Sequence, residues 1–540
     1  MLQDFGQANP NNHNVYYFSV EKYEYATKEL KEAGEGKFCP FCNTRIEYEY
    51  YQYSHIGKFK CPNCNYGDNG IYKLATNVDL KNRTFSVDNV DYKIRFNSIY
   101  NIYNFIAVIS CVSLYNIETE TVQKALSTFV LNNGRLEELE INGVPTIINL
   151  AKNPTGCNVS LRILNEDADE KELLFVLNDN LADGHDVSWI WDINFDDLNN
   201  VSRIVTAGTR AYDIAIRIKT SGFDASKIEP YLDLKEAVKN FYKTDVKKYV
   251  IANYTALQPT RKEILNLGPV QIEKKEDVSQ NGQNVQKETS QNVLKILYLY
   301  PDILELYGDF GNIQVLKYRL EKRGIEAIIV PYSIGDTPPN FSDFDLVFAG
   351  GGADQEQGIL SEDLLKYKES IKEAVENGVF FLLICGAYQL FGKYYKGVEG
   401  NIIPGLEVFD YYTEAINDRK KRCIGNVVIN ANLNNKETKV IGFENHGGQT
   451  FDVSTSFGNV LAGNGNKFGD SKEGFFANNV IATYLHGPLL SKNPELADYI
   501  IKYCMDRKYG EDIVLEPLDD NFENLCREQL LKRFLNADEK

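Results

Sequence analysis

The length, composition and charge of the chain exclude several classes of protein. At 540 residues, the chain is too long for one hydrophobic core, so we expect roughly two to four domains. A hydrophobic content of 43% and a charged content of 25% are typical of folded globular proteins. The formal net charge of −18 argues against a large nucleic-acid-binding surface. No segment has the ~18 apolar residues of a membrane span, and the start MLQDFGQANPNN lacks the features of a signal peptide, which predicts a cytoplasmic protein.

The first motif along the chain is a cluster of four cysteines. CPFC at 39–42 and CPNC at 61–64 form two CPxC turns, and the intervening IEYEYYQYSHIGKFK alternates as a β-hairpin does. A redox role is an alternative for a single CxxC pair, but two pairs at this spacing predict a tetrahedral Zn²⁺ site. All four ligand positions are filled, so we expect a structural ion, with His55 as a surface histidine. The predicted zinc ligands are Cys39, Cys42, Cys61 and Cys64.

The rest of the chain before residue 271, called the front half below, carries the signals of two packed α/β units. Helical spacing is found near 118–132 and 234–243, and strands are predicted at 171–179 (KELLFVLND) and 202–208 (SRIVTAG). The segment at 271–292, QIEKKEDVSQNGQNVQKETSQN, has no aromatic residue and is rich in Gln, Asn, Lys and Glu. Such a composition cannot bury a core, so this segment is predicted to be a linker.

The back half alternates between strand and helix signals, which predicts a parallel sheet covered on both faces. The predicted strands are KILYLY (295–300), EAIIVPY (326–332), DLVFAGGG (345–352) and FFLLIC (380–385). The predicted helices are NIQVLKYRLEKRG (312–324) and SEDLLKYKESIKEAVENG (361–378), the second with Ser361 as its N-cap and Gly378 after its end. The remainder is richer in strands, with VVIN (427–430), KVIGFEN (439–445) and VIATYLHG (480–487) before a closing helix at 495–507.

The segment VFFLLICGAYQLFG at 379–392 places a cysteine at the end of a buried strand. A sharp strand-to-helix turn of this kind exposes a nucleophile above backbone amides, which stabilise a thiolate and an oxyanion. Gly386 lets the backbone turn without a Cβ clash. The alternative interpretation of Cys385 is a buried structural cysteine, which is common in hydrophobic strands.

Two further motifs favour a catalytic cysteine. AGGGADQEQG (349–358) ends a strand in three glycines, whose backbone N–H groups are suited to bind a developing oxyanion. ATYLHGPLL (482–490) ends a strand at His486, a base that can take the thiol proton. His446, in FENHGGQT, is the rival histidine, and we interpret it as structural or substrate-binding.

Over about residues 293–510, these motifs resemble a class I glutamine amidotransferase domain of the cobyric-acid-synthase-like branch. The resemblance implies that Cys385 attacks the side-chain amide of glutamine, that His486 shuttles the proton, and that Gly352 contributes to the oxyanion hole. It also implies a thioester intermediate and the release of ammonia. Most members place a glutamate two residues after the histidine, where this chain has Pro488, so the third group of the triad is either absent or comes from elsewhere.

The front half carries NLAKNPTGCNVSL (149–161), LNDNLADGHDVSWIWDINFD (177–196) and TAGTRAYDIAIRIKTSGF (206–223). Together with the cysteine cluster, these motifs resemble the Mur-ligase-like subunit of the lipid II isoglutaminyl synthase family. YLHGPLLSKNPELADY (484–499) extends the resemblance to the glutaminase subunit of that family. The resemblance implies ATP-dependent amidation of the D-glutamate α-carboxylate of the peptidoglycan stem peptide on lipid II, by two subunits fused in one chain.

The same resemblance implies two further site residues. In this family an aspartate of the ligase subunit completes the Cys–His pair, which implies Asp186, with Asp183 and Asp192 as the next candidates. The family also uses an arginine after the strand-to-helix turn at Cys385, called the elbow below, to hold the carboxylate of glutamine. This implies Arg422 in preference to Arg419.

The resemblance implies three α/β domains. Residues 1–145 would be a partial Mur-ligase central domain with an inserted zinc ribbon at about 36–70. Residues 146–270 would be the Mur-ligase C-terminal domain. After the linker, residues 293–540 would be the doubly wound class I amidotransferase domain.

A Mur ligase needs a GxxGK[ST] loop to hold the phosphates of ATP, and the chain has none, since GKFC, GKFK and GKYY lack the hydroxyl after the lysine. Three explanations stay open: a truncated or mis-started gene, a separate P-loop ligase fragment, or a glutaminase that keeps the remnant as a scaffold.

The predicted cofactors are structural Zn²⁺ and, for the full synthase, ATP with Mg²⁺. The predicted partners are glutamine and lipid II at the inner face of the membrane, to which the protein would be at most peripheral. The alternative functions are another cobyrinate-type amidotransferase and a non-catalytic scaffold with a degenerate ligase half.

Overall fold

The computed structural model describes most of the chain, and its residues form two compact units. The described ranges are 15–24, 26–28, 38–42, 44–53, 55–64, 66–67, 70–95, 98–129, 134–196, 198–268, 292–304, 307–352, 354–510 and 513–535. The predicted linker at 271–292 lies outside them except for its last residue. The first unit comprises Met1–Leu139, Ile147–Asp169 and Asp197–Asn200, and the second comprises Glu140–Thr146, Glu170–Asp196 and Val201–Lys540. Within the described ranges, no helix has the length and apolar character that crossing a membrane requires.

The first unit is built on a four-stranded sheet and a two-stranded hairpin. Its strands are β1 (Tyr17–Val20), β2 (Glu47–Tyr53), β3 (Ile56–Lys60), β4 (Ile71–Asp79), β5 (Thr84–Val87) and β6 (Val90–Lys93), and its helices are α1 (Ile99–Ser113), α2 (Thr119–Thr128) and α3 (Pro154–Glu166). The sheet order is β1-β4-β5-β6, with β1 parallel to β4 and the other pairs antiparallel. Helix α1 buries Ile99, Ile102, Ile106 and Ile109, which lie three or four residues apart, so one apolar stripe packs into the core of this unit.

The front part of the second unit contains alternating strands and helices. Strands β7 (Glu137–Ile141) and β8 (Val144–Leu150) belong by residue partly to each unit, and the second unit continues with β9 (Lys171–Val176), β10 (Val201–Ala207), α4 (Ala211–Thr220), β11 (Ile228–Tyr231), α5 (Leu234–Phe241), β12 (Lys247–Ala252) and α6 (Tyr254–Leu265). The order β11-β10-β9-β12 contains only parallel pairs. The strands predicted in this part are confirmed as β9 and β10, and the helices predicted in the front half are confirmed as α2 and α5.

The back half of the chain forms a second parallel sheet. Its first elements are β13 (Val293–Leu299), α7 (Phe310–Glu321), β14 (Glu326–Tyr332), β15 (Leu346–Ala349), α8 (Asp354–Leu364), α9 (Lys368–Glu376), β16 (Phe380–Ile384) and α10 (Gly386–Phe391). Further along the chain are β17 (Tyr394–Lys396), β18 (Ile402–Pro404), β19 (Tyr412–Ala415), β20 (Cys423–Leu433), β21 (Lys436–His446), β22 (Gly448–Phe451), β23 (Gly458–Ala462), β24 (Lys472–Glu473), β25 (Phe475–Ala477), β26 (Val480–Thr483), α11 (Pro494–Tyr509) and α12 (Asn521–Leu535). The sheet order is β14-β13-β15-β16-β26-β25, and only the β25–β26 pair is antiparallel. The predicted parallel sheet is therefore confirmed.

Two smaller four-stranded sheets, in the orders β18-β17-β19-β22 and β21-β20-β23-β24, follow the elbow at Cys385 along the chain. The longest pairing is the antiparallel hairpin of β20 and β21, which pairs Cys423 with His446 at one end. The strands predicted at 427–430 and 439–445 are the central parts of this hairpin.

The helix predicted at 361–378 is instead two helices. Helix α8 begins at Asp354 and ends at Leu364, and a 3-10 turn at Leu365–Tyr367 separates it from α9. Ser361 is therefore not an N-cap, and its hydroxyl donates to the carbonyl of Pro404 (2.6 Å) from within α8. Gly378 follows α9 with φ +77°, as the predicted helix end requires.

Candidate active site

Cys385 lies at a sharp turn between β16 and α10. Its backbone has φ +51° and ψ −100°, a conformation that costs a non-glycine residue roughly 1–3 kcal/mol. The turn is held from both sides, because the Cys385 amide donates to the Thr483 carbonyl (2.8 Å) and the Cys385 carbonyl accepts from Gln389 (3.0 Å). A Cβ added to Gly386 would lie 2.9 Å from the amide nitrogen of Gly352, so the glycine loop closely approaches the elbow. Strained backbone held in this way is typical of a nucleophile.

His486 lies beside Cys385 in a fully buried position. The segment after β26 forms a bridge with Phe443, in which His486 accepts from (3.1 Å) and donates to (2.8 Å) the backbone of Phe443. Gly351 fills the space next to both side chains, since a Cβ added there would lie 2.8 Å from Cε1 of His486 and 3.4 Å from Cβ of Cys385. The ring of Tyr307 packs edge-on against the imidazole at a centroid distance of 4.9 Å. The structure thus brings the predicted cysteine and histidine together.

Asp309 is the acid that contacts His486. Its two carboxylate oxygens lie 3.0 and 3.1 Å from Nδ1 of His486, and both side chains are completely buried. The same carboxylate accepts the amide of Gly351 (2.8 Å). Burial by itself lowers the pKa of His486, but the charges of Asp309 and Cys385 outweigh it and hold that pKa well above its usual value. Asp309 therefore fixes Nδ1 as the protonated nitrogen and leaves Nε2 to exchange a proton.

The structure places Asp309, and not the predicted Asp186, at Nδ1 of His486. Asp186 instead accepts the amide of Ser188 (2.8 Å), at the start of a 3-10 helix at Ser188–Asp192. Nδ1 of His486 is already occupied by a carboxylate from the back half. Asp309 lies far from Pro488 in the sequence, so it is a candidate for a third group that comes from another segment of the chain.

The two other aspartates considered for this role also have other partners. Asp183 accepts the amide of Thr255 (2.8 Å) and the hydroxyl of the same residue. The charge of Asp192 acts on the buried guanidinium of Arg217. Both carboxylates therefore interact with groups of the front half.

Sequence reasoning missed Asp309, although its position after a strand of the parallel sheet is a signal for it. Asp309 lies in YGDFGN, in the loop between β13 and α7. Loops that follow neighbouring parallel strands meet at the carboxyl edge of the sheet, where Cys385 and the glycine loop after β15 also lie. A carboxylate in the first of these loops is therefore a candidate for an active-site residue.

A cavity of about 440 Å³ opens in front of the elbow. This volume is within the range of small-molecule sites in proteins. Its walls include Cys385, Tyr307, Gly352, Gln389, Arg422 and His446. Cys385, Gly352 and Arg422, which were predicted from sequence, thus face one space.

Both candidate arginines line this cavity. Arg422 is exposed, and its Nε and Nη2 atoms donate to the side-chain oxygen of Asn445 at 3.3 and 3.1 Å. Arg419 is also exposed, within a 3-10 turn at Arg419–Lys421. The contact with Asn445 gives the guanidinium of Arg422 a defined position on the cavity wall.

His446 is buried against the same cavity and stays neutral. Its Nδ1 donates to the carbonyl of Gly448 (2.7 Å), and its ring stacks on Tyr484 at a centroid distance of 3.6 Å. Burial, together with the charges of His486 and Arg422, lowers the pKa of His446 to about 3. A ring with so low a pKa is a weak proton acceptor, so His486 rather than His446 fits a general base.

The first unit holds a separate candidate metal centre. The hairpin predicted between the two cysteine pairs is confirmed as β2 and β3. The four sulfur atoms lie within 4.8 Å of one another, with Cys39–Cys64 and Cys42–Cys61 each at 3.5 Å. Four thiolates about 2.3 Å from one Zn²⁺ ion would be about 3.8 Å apart, so the cluster fits a tetrahedral site. The backbone closes each turn, since Cys39 donates to Thr44 and Cys61 donates to Tyr66, both at 2.8 Å.

Comparisons with known proteins assign the two parts of the chain to different relatives. The family model described as MurT ligase C-terminal matches residues 150–257, and the CobB/CobQ-like glutamine amidotransferase domain matches residues 295–494. The chain is 39% identical over 243 residues to the "Lipid II isoglutaminyl synthase (glutamine-hydrolyzing) subunit GatD" of Staphylococcus aureus (strain N315), covering 44% of this chain and 96% of that protein. It is 28% identical over 251 residues to the MurT subunit of the same synthase from Staphylococcus aureus (strain COL), covering 45% of this chain and 56% of that protein.

One similar solved structure is a pseudomurein peptide ligase type C from Methanothermus fervidus. It has 21% sequence identity and a TM-score of 0.35, over 47% of this chain and 53% of that chain. The chain thus spans nearly the whole GatD relative but only about half the length of the MurT relative.

Proposed function

The chain belongs to the family of the GatD subunit of glutamine-hydrolysing lipid II isoglutaminyl synthase, and from this we propose that Cys385 hydrolyses glutamine to release ammonia. The observation that carries the proposal is the grouping of Cys385, His486 and Asp309, with Cys385 on the wall of a 440 Å³ cavity. A nucleophile, a base and an acid that orients the base are the three groups that covalent acyl transfer needs.

The reaction begins with a proton transfer within this triad. Nε2 of His486 takes the proton of the Cys385 thiol, and the carboxylate of Asp309 stabilises the imidazolium that forms. The raised pKa of His486 favours this ion pair, because the imidazole keeps the proton next to the thiolate. The thiolate then attacks the carbonyl carbon of the glutamine side-chain amide, and the C=O electron pair moves onto oxygen.

Backbone amides stabilise the resulting oxyanion. The amide of Gly351 is already donated to Asp309, so the next amide in the loop, that of Gly352, is the donor we assign. A Cβ added to Gly386 would lie 2.9 Å from the amide nitrogen of Gly352, so this nitrogen lies close to Gly386. The N–H groups of Gly352 and Gly386 together form the proposed oxyanion hole.

Ammonia leaves in the next step. The imidazolium of His486 protonates the amide nitrogen, the C–N bond breaks, and a thioester remains on Cys385. Water then attacks the thioester while His486 takes its proton, which releases glutamate and restores the thiol. The balance is glutamine plus water to glutamate plus ammonia.

Arg422 is the proposed binding group for the α-carboxylate of glutamine. A guanidinium can donate two parallel hydrogen bonds to a carboxylate, which fixes the orientation of the substrate. Arg422 lines the same cavity as Cys385, and its contact with Asn445 limits its movement.

Replacement of Cys385 tests this function. In Cys385→Ala, we expect glutamate release from glutamine to fall by more than roughly 10³-fold, since no other group can form the thioester. Cys504→Ala, which removes a buried thiol of the same half, is the matched control and should keep its activity. An unchanged rate of glutamate release in Cys385→Ala would refute the proposal.

We propose that the ammonia amidates the D-glutamate α-carboxylate of lipid II at the cytoplasmic face of the membrane. The names of the GatD and MurT relatives support this acceptor. Activation of the carboxylate requires ATP and Mg²⁺, and the sequence offers no P-loop to hold them. We therefore expect the chain alone to release glutamate but not to transfer ¹⁵N from amide-labelled glutamine to lipid II. Transfer by the chain alone, dependent on ATP, would refute the need for a separate P-loop fragment.

For the four-cysteine cluster, we propose a structural Zn²⁺ ion held by Cys39, Cys42, Cys61 and Cys64. The sulfur spacing supports a closed site, as does the set of four cysteines, to which the described part of the chain adds no fifth ligand. Such an ion would tie the two turns at the base of the β2–β3 hairpin together.

A further inference from the structure

The turn that carries Asp309 packs against a tryptophan from the front half of the chain. A Cβ added to Gly308 would lie 2.4 Å from the carbonyl oxygen of Ser188 and 3.1 Å from Cβ of Trp191. A Cβ added to Gly311 would lie 2.6 and 2.7 Å from ring atoms Cε3 and Cδ2 of Trp191, and 2.4 Å from Cγ of Pro488. Real Cβ atoms essentially never approach this closely, so Trp191 touches the turn on both sides of Asp309.

Trp191 is itself held firmly in the front half. It belongs to the 3-10 helix at Ser188–Asp192 and is 3% exposed. The guanidinium of Arg217, on α4, lies 5.5 Å from the centroid of its ring, and Arg217 donates to the carbonyl of Ile193 (2.5 Å). The indole is therefore fixed on one side by a buried cation and presents its other contacts to the Asp309 turn.

The position of this turn decides the position of the catalytic base. Backbone hydrogen bonds from Gly311 to Gly308 (2.8 Å) and from Asn312 to Asp309 (3.0 Å) make the turn one rigid piece. Asp309 connects that piece to Nδ1 of His486 and to the amide of Gly351. Any shift of the turn therefore moves the imidazole relative to the sulfur of Cys385.

We propose that Trp191 is a positioning residue for glutamine hydrolysis, through which the ligase-like half sets the geometry of Asp309 and His486. This inference rests on the proposed glutaminase function and goes beyond it, because it assigns part of the active-site support to the other half of the chain. Misplacement of a catalytic group by about 1 Å can cost roughly 10²-fold in rate. The cavity residue Arg422 is held by Asn445, on β21, so we expect binding of glutamine to change little.

Steady-state kinetics of the full chain test the proposal. In Trp191→Leu, we expect kcat for glutamate release to fall by roughly 10- to 100-fold, with KM for glutamine within about threefold of the original value. Trp191→Phe keeps a ring against the turn and should recover most of kcat. Trp189→Leu, on the same 3-10 helix, removes the other tryptophan of the chain and is the matched control. An equal loss in Trp189→Leu, or a rise in KM with kcat unchanged, would overturn the positioning role.

A second variant covers the case in which Trp191→Leu does not fold. Gly311→Ala changes the turn from the back half and forces it away from Trp191 and Pro488, so kcat should again fall while KM is kept. Normal kcat in a folded Gly311→Ala protein would overturn the proposal.

Fluorescence provides an independent readout. Trp189→Phe leaves Trp191 as the single tryptophan, and its emission should be that of a buried indole. A solvent-exposed emission spectrum would contradict the contact. The Cys385→Ala variant distinguishes failure of the positioning role from failure of the glutaminase function. If Cys385→Ala is inactive while Trp191→Leu has full kcat, the glutaminase function stands and only the positioning role fails.

Discussion

The carboxylate of Asp309 is the residue on which the proposed proton transfers depend most. In Asp309→Asn, the amide group would donate to Nδ1 of His486 and so favour the tautomer with its proton on Nε2. That tautomer cannot take the thiol proton, so we expect kcat for glutamate release to fall by roughly 10³- to 10⁴-fold. The measurement is steady-state glutamate release by the purified variant.

Asp186→Asn is the matched control for this prediction. Asp186 accepts a backbone amide at the start of the Ser188–Asp192 helix, whereas Asp309 holds Nδ1 of His486, so the loss of Asp186 should cost much less than that of Asp309. A larger fall in kcat for Asp186→Asn than for Asp309→Asn would restore Asp186 as the acid of the triad.

Glu473 gives a prediction about stability and pH. It is fully buried, and its Oε1 accepts from the hydroxyl of Thr483 and the amide of Tyr484, both at 2.8 Å. Burial raises the pKa of Glu473 from 4.5 to about 8. Between these values the folded protein keeps a proton that the unfolded chain loses, so this group lowers stability as the pH rises.

The variant Glu473→Gln removes that titration. Relative to that of the original protein, the free energy of unfolding of the variant should increase by up to about 1.4 kcal/mol for each pH unit between about 5 and 8, because only the original protein loses stability over this range. Denaturant unfolding followed by circular dichroism at several pH values measures it. Glu437→Gln, at an exposed position of β21, is the control and should show no such trend. A pH-independent difference for Glu473→Gln would contradict the raised pKa.

The sequence allowed prediction of the candidate site where the signal was local. Cys385 and Gly386 are adjacent, and the strand before them is continuous and apolar, so the elbow could be recognised within a few residues. The pairing of His486 with Asp309 joins positions 177 residues apart, and no local pattern encodes it. The resemblance to relatives pointed to the front half instead, and only the three-dimensional arrangement separates Asp309 from Asp186. The roles proposed for Cys385, Gly352 and Arg422 stay predictions.

At the scale of elements, strands were predicted more closely than helix boundaries. The strand predicted at 326–332 agrees with β14, because a short apolar run with β-branched residues has a clear pattern. The single helix predicted at 361–378 is α8 and α9, and Ser361 is not its N-cap, since the hydroxyl of Ser361 donates to the carbonyl of Pro404, more than 40 residues away. Such a contact overrides the local preference of serine for an N-cap.

The β2–β3 hairpin gives a prediction at this scale. A structural Zn²⁺ ion would hold the two CPxC turns together, so the double variant Cys39→Ser/Cys61→Ser should lose about one equivalent of zinc per chain. The hairpin should then become more sensitive to proteolysis, because few apolar contacts replace the ion in its small core. Metal analysis and limited proteolysis are the measurements, with Cys111→Ser as the control. Full zinc content in the double variant would refute the site.

At the scale of the whole molecule, the two functional parts within the second unit share buried ion pairs. Asp213, on α4, lies 3.3 Å from the ammonium of Lys492 and 3.4 Å from the guanidinium of Arg210. Lys219, also on α4, pairs with Glu523 of α12 at 2.9 Å. The relatives of these two parts carry different subunit names, whereas here they occur in one chain. The ion pairs therefore connect a ligase-like surface to a glutaminase-like one.

Asp213→Ala tests whether these pairs hold the two parts in a functional arrangement. Burial raises the pKa of Asp213, but the charges of Arg210 and Lys492 outweigh it and keep that pKa below its usual value, so the charged pairs persist at neutral pH. Removing the carboxylate leaves two buried cations without it, and we expect the free energy of unfolding to fall by roughly 3–5 kcal/mol. The same interface includes the contact between Trp191 and the Asp309 turn. We therefore expect kcat for glutamate release to fall as well, with KM little changed.

The exposed pair of Lys532 and Glu528 on α12 provides the control for Asp213→Ala. Its side chains are 71% and 61% exposed, so Lys532→Ala should change the free energy of unfolding by less than about 1 kcal/mol and leave kcat unaltered. A measurement at high salt separates the two pairs further. Roughly 1 M salt screens the attraction within an exposed ion pair but weakens that within a buried pair much less. If Asp213→Ala and Lys532→Ala have the same stability and the same kcat, the prediction fails. The buried pairs would then not be needed for the ligase-like half to support the glutaminase site.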